Sequence, residues 1–142
     1  MLQKKSNTIT YSKNSDLRLR FPDIKNYLDP NWSDQNVEHY LNEVRNQAHL
    51  WINNQLEAFE LQTYALDNDK RIIEADYAIY LVLRGSSKRV DSDLMERFLS
   101  DSKSGLSEIQ KKKTSRKNLN SQVSRMTRNR TKMKDYGNLG DQ

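Results

Sequence analysis

The chain has 142 residues, of which 35% are hydrophobic and 30% charged, and a net charge of +5. This is the length of one domain with a modest core, too short for two, and part of the chain is expected to lie outside that core. The lack of cysteine excludes disulfides, thiolate metal sites and a cysteine nucleophile, and fits a chain made in a reducing compartment.

Residues 1–20 are polar. The start is basic, but no apolar stretch follows it, so no secretory signal is expected. Thr8-Ile9-Thr10-Tyr11 and Leu17-Arg18-Leu19-Arg20-Phe21 each alternate with period two, which predicts short extended segments around a Lys13-Asn14-Ser15-Asp16 turn. The competing reading is a flexible arm. A short helix is predicted from Phe21-Pro22-Asp23 to Leu28, started by Pro22 and stopped by Pro30. Ser33 is placed to cap the next helix through its side-chain oxygen.

That next helix is the clearest element. Val37, Tyr40, Leu41, Val44, Ala48, Trp51, Ile52 and Phe59 cover an arc of roughly 120° on a helical wheel, opposite Glu38, Asn42, Glu43, Asn46 and Glu57. Asp67-Asn68-Asp69 breaks the pattern. It opens like a calcium loop, but Ile72 stands where that loop needs glycine and Ala78 where it needs glutamate, so a turn and helix cap is the reading. The helix from Lys70 to Arg84 is apolar around nearly its whole circumference, which predicts burial on more than one side, one of them against a neighbouring subunit. Its apolar run, Tyr77 to Leu83, is too short to span a bilayer. Gly85 is read as a left-handed stop. Asp91 or Ser92 can cap a fourth helix bearing Leu94, Met95, Phe98 and Leu99, with Gly105 as a point of interruption and Leu106 and Ile109 continuing the spacing.

Beyond Lys113 the core pattern ends. From Lys103 onward 11 Lys/Arg stand against three acids, leaving 13 basic and 16 acidic residues in the rest: an acidic body with a basic tail. Residues 114–142 read as disordered in isolation, although Leu119, Val123 and Met126 share helical spacing that a partner could exploit. Arg116, Lys117, Arg125, Arg128, Arg130 and Lys132 are the candidates for contact with a partner protein or with phosphates. Only Tyr136 supplies an aromatic ring there, so single-strand stacking is not expected.

Few residues carry chemistry. His39 and His49 are about 15 Å apart along one helix, too far to share a metal, and both are read as surface residues. Asp76 lies inside an apolar face. A buried carboxylate requires a partner, and Arg45 or Arg97 is the expected one; acid–base catalysis is the alternative. Trp51, Tyr80 and Phe98 are assigned to the core with it. Leu50, Tyr77 and Leu81 are surplus apolar positions, read as a subunit interface or as isolated surface residues. Nucleotide-binding and hydrolase motifs are lacking, and no enzyme, cofactor or metal is expected.

The helix order resembles a known group. The residues that carry the likeness are Asp23-Ile24-Lys25-Asn26-Tyr27-Leu28, then Val44, Ala48, Ile52 and Leu56 in one register. Ala75-Asp76-Tyr77-Ala78-Ile79-Tyr80-Leu81-Val82-Leu83-Arg84-Gly85 follows, then Glu96-Arg97-Phe98-Leu99 and Ser107-Glu108-Ile109-Gln110-Lys111. Over about residues 21–113 this resembles the small helical head–tail connector proteins, also called adaptors or head-completion proteins, of tailed phages and tailed archaeal viruses. The resemblance implies an all-α bundle of about four helices with a polar N-terminal arm (1–20) and a basic C-terminal tail (114–142). It further implies a structural virion protein, made in the host cytoplasm, that forms a dodecameric ring at the head–tail neck. Such a ring binds the portal protein and a tail or second connector protein, extends the DNA channel, and involves no membrane. The alternative is a nucleic-acid-binding module that uses the basic tail.

Overall fold

The computed structural model describes residues 9–138, and the side chains of residues 9–120 and 122. The described residues are helical and irregular, without strands, as expected. Four α-helices and one 3-10 helix follow in order: α1 (Asn14–Arg20), the 3-10 helix (Pro22–Tyr27), α2 (Asp34–Ala58), α3 (Asp67–Arg84) and α4 (Ser92–Asn138).

Local chemistry sets the boundaries. The Ser33 side chain accepts the Asn36 N–H at 3.1 Å, the expected N-cap. From there Val37, Leu41, Val44, Ala48, Ile52 and Leu56 form one buried stripe along α2. The helix ends where Glu60 turns left-handed, with φ of 53°, and the Leu61 N–H reaches back to the Leu56 carbonyl at 2.7 Å. Gly85 is instead right-handed, with φ of −88°, so the left-handed stop lies after α2 and not after α3. Asp69 caps α3 by accepting the Leu66 N–H at 3.4 Å, which makes the Asp-Asn-Asp run a helix start. Asp91 accepts the Asp93 N–H at 3.0 Å and opens α4.

Helix α3 is the central element. It packs on α2, α4, α1 and the 3-10 helix, so its nearly encircling apolar surface is covered largely within the protomer. Ile73, Ala75, Ala78, Ile79, Val82 and Leu83 are all buried. The main core joins all of these but Ile73 to Leu17, Phe21, Ile24, Leu41, Val44, Ala48 and Phe98. A second cluster of Ile52, Leu56, Leu61, Ile73 and Ile109 closes the other end. Gly105 does not interrupt α4. A Cβ there would come within 2.5 Å of Ile73 Cγ1, so its lack of a side chain is what lets α4 approach α3.

The N-terminal segment departs from expectation. The Lys13-Asn14-Ser15-Asp16 stretch is no turn between extended pieces but the first turn of α1, with Asp16 accepting the Lys13 N–H at 2.8 Å. Period two put Leu17 and Leu19 on one side; on a helix they part, and Leu17 is buried while Leu19 is 78% exposed. Neither is the segment a free arm, because α1 packs on α3. At the other end, α4 continues as helix through Asn138, so the tail beyond Lys113 is helical from its start.

Candidate functional site

Among the described residues two carboxylates lie inside the bundle, both on α3. Asp76 is 2% exposed, as expected, and an arginine meets it. The arginine is neither Arg45 nor Arg97 but Arg20, whose Nε donates to Oδ1 at 2.6 Å and Nη2 to Oδ2 at 3.0 Å. Helix α1, which the alternating pattern concealed, brings Arg20 there. Burial pushes the Asp76 carboxyl above its ordinary range; the Arg20 bonds and charge oppose this without cancelling it. Arg97 instead lies over the Phe98 ring at 5.2 Å, with only a weaker, longer-range effect on Asp76.

Glu74, which the sequence reading passed over, is wholly buried. It accepts the Ser12 N–H at 2.8 Å, the Ser12 hydroxyl and the Tyr11 N–H at 3.3 Å, and meets His49 Nδ1 at 2.7 Å. His49 is therefore not a surface residue; its side chain is 13% exposed, whereas that of His39 is 58% exposed. The signal was present in the sequence: Glu74 sits two residues before Asp76 among apolar neighbours, and His49 adjoins Ala48 of the buried stripe. Arg45 is held by the same segment, donating to Asn14 Oδ1 at 2.7 Å, to the Thr10 hydroxyl and to the Ser12 carbonyl. Burial lowers the Arg45 pKa, and the charges of Glu74 and Asp16 work against that fall. Both carboxylates are thus occupied in holding the N-terminal segment.

The surface offers a different feature. Trp51 of α2 and Tyr77 of α3 stack face to face, with ring centroids 3.9 Å apart and planes 1° from parallel. Tyr80 packs against Tyr77 at 5.4 Å. Trp51, Tyr77, Tyr80 and Leu81 are all half-buried, so Trp51 and Tyr80 mark the edge of the core rather than its centre, unlike Phe98 at 2% exposure. Beside them a groove of about 500 Å³ runs between α2 and α4, lined by Trp51, Gln55, Phe59, Leu61, Leu106 and Gln110 among others. Leu50 is 64% exposed. It lies about 100° around α2 from Trp51, so Trp51 and not Leu50 is the residue of α2 that joins Tyr77.

Of the basic candidates, Arg116 lies 6.0 Å from the Tyr64 ring centroid, and Lys117 is exposed. The side chains of Arg125, Arg128, Arg130 and Lys132 lie outside the described residues. Among the described residues there is no acidic or histidine cluster that could hold a metal ion, and no helix long and apolar enough to cross a membrane. No family model, curated protein or solved structure matches the chain.

Proposed function

We propose that the chain is a structural assembly subunit: a head–tail connector protein that forms a ring below a portal, joins it to a tail component and extends the DNA channel. The observation that carries this reading is the half-open Trp51–Tyr77–Tyr80 face with Leu81 and the neighbouring apolar groove. Aromatic rings that are ordered, stacked and only half covered are the composition of an interface centre. The buried carboxylates support a structural role for the body, since each is committed to a hydrogen-bonded partner.

Light scattering over a range of concentrations tests this. The full chain is expected to form a complex of several copies, alone or with a portal partner. Leu81→Glu is expected to lower the mass while the helical circular dichroism is kept, because a charge buried in an interface is costly. Leu50→Glu is the second probe, at a more exposed position. A strict monomer with no protein partner rejects the reading.

One observation favours a nucleic-acid-binding alternative: the basic segment continues as a helix, with Arg116 and Lys117 exposed at its root. This alternative requires binding to DNA that falls steeply with salt.

A further inference from the structure

Residues 10–12 form a strap across a polar slot. Arg45, His49 and Asn53 are spaced by four on α2 and share one face. Glu74 of α3 closes the slot from the other side. An ionised carboxylate has only acceptor sites, so the His49 Nδ1 that meets Glu74 at 2.7 Å carries a proton. His49 Nε2 then faces the Asn53 side-chain amide at 3.0 Å, and the same amide faces the Tyr11 hydroxyl at 2.6 Å.

This line of three groups has two complete bonding patterns. With His49 neutral, Nε2 accepts from the Asn53 NH2, and Asn53 Oδ1 accepts from the Tyr11 O–H. With His49 doubly protonated, the Asn53 amide turns over. Nε2–H then donates to Oδ1, and the NH2 donates to the Tyr11 oxygen, whose own hydrogen swings away. Each pattern satisfies every contact in the line, and they differ by one proton. The second places a cation against a wholly buried carboxylate that also holds the strap.

We propose that His49, Asn53 and Tyr11 form a proton-responsive latch, in which protonation of His49 tightens the hold of Glu74 on the strap at Tyr11 and Ser12. The charged groups that face this latch are known. Arg45 of α2 binds the strap directly, Lys70 lies 5.2 Å over the Tyr11 ring, and Asp67 and the α1 residue Asp16 act from further away. His49 is the side chain of the latch whose neutral ring keeps a lone pair, at Nε2, that can take up a proton. Burial and the Glu74 charge push the Tyr11 hydroxyl above its ordinary range, so it remains a neutral donor or acceptor throughout. The added hold is present at acid pH and is lost as the imidazole gives up its second proton.

The test is site-resolved amide exchange on the full chain between about pH 7.5 and about pH 5.5, corrected for intrinsic rates. Protection of Tyr11 and Ser12 is expected to rise on acidification by about fivefold, the order of one added ion pair at the carboxylate that holds them. In His49→Gln, whose amide N–H still reaches Glu74 but takes no proton, the rise is expected to vanish. Nitrogen-15 spectra of the wild-type imidazole at neutral pH add a readout that needs no variant, and the neutral ring is expected to carry its proton on Nδ1. An equal rise in His49→Gln, no rise in the wild type, or a neutral ring protonated on Nε2 overturns the proposal.

Discussion

The two ends of the described chain are alike in composition and opposite in fate. The N-terminal segment through Arg20 and the stretch of α4 beyond Lys113 are both polar, basic and flanking. The first is stapled to the body: Ser12 and Leu17 are buried, Glu74 holds the strap and Asp76 holds Arg20. Of the second, residues 117–120 are exposed, with Leu119 at 59% exposure. Their own sequences do not decide this difference; the rest of the molecule does. A buried carboxylate is costly unless hydrogen-bonded and paired. Helix α3 carries two, and the N-terminal segment brings the donors that satisfy them.

The strongest way to break the contrast is to remove one donor. Arg20→Ala leaves Asp76 buried and alone, and is expected to cost about 3–5 kcal/mol in denaturant unfolding. The reverse change, Asp76→Asn, is expected to cost less. The Arg20 side chain is 36% exposed and can turn to water, whereas that of Asp76, at 3%, cannot. The pH dependence separates the two further. Burial raises the folded-state pKa of Asp76, so its contribution favours folding below its unfolded pKa and is lost as pH rises through the folded value. Without Arg20 that loss deepens, so the deficit of Arg20→Ala should grow from acid to neutral pH. Equal and small effects of both substitutions would show that the N-terminal segment is not held by this pair.

A smaller effect sharpens the boundary within α4. Its first half belongs to the body through Phe98, Gly105 and Ile109, whereas residues 117–120 are exposed. Gly105→Ala gains up to about 1 kcal/mol of helix propensity. It also drives a methyl group into Ile73, an overpacking of about 1–3 kcal/mol. The overpacking should win, lowering the melting temperature. A raised melting temperature would mean that α3 and α4 can part there at little cost.

Much of this was legible from the amino acids. The stripe from Val37 to Leu56, the Ser33 and Asp91 caps, and the burial of Asp76 follow from spacing and polarity that local chemistry enforces. What escaped notice depended on contacts distant in sequence. The partner of Asp76 stands 56 residues away on a helix whose seven residues mimic strand alternation. Glu74 drew no reading because two of its four donors are backbone N–H groups of residues 11 and 12, which no side-chain pattern reveals. His49 looked exposed because the strap that covers it, with the Tyr11 ring 4.6 Å from the imidazole, is more than 35 residues away in sequence. Gly105 looked like a break because glycine weakens helices, whereas here it serves a close helix crossing.

The smallest expected effect comes from ending the chain after Lys117. Residues 118–120 at its start are exposed, and exposed helix contributes only its own marginal stability. The truncated chain should therefore unfold within about 0.5 kcal/mol of the full chain. Removing a single charge from the N-terminal side, as in Arg20→Ala, should cost several times more. If the extension serves a partner, as the connector reading requires, the same truncation should weaken docking to a portal, or binding to DNA under the alternative, while the melting curve stays in place. A truncation that instead destabilises the body by more than about 1 kcal/mol would place the extension in the fold. The contrast between the two ends would then be one of degree, and the basic helix would have to be read first as packing and only second as a contact surface.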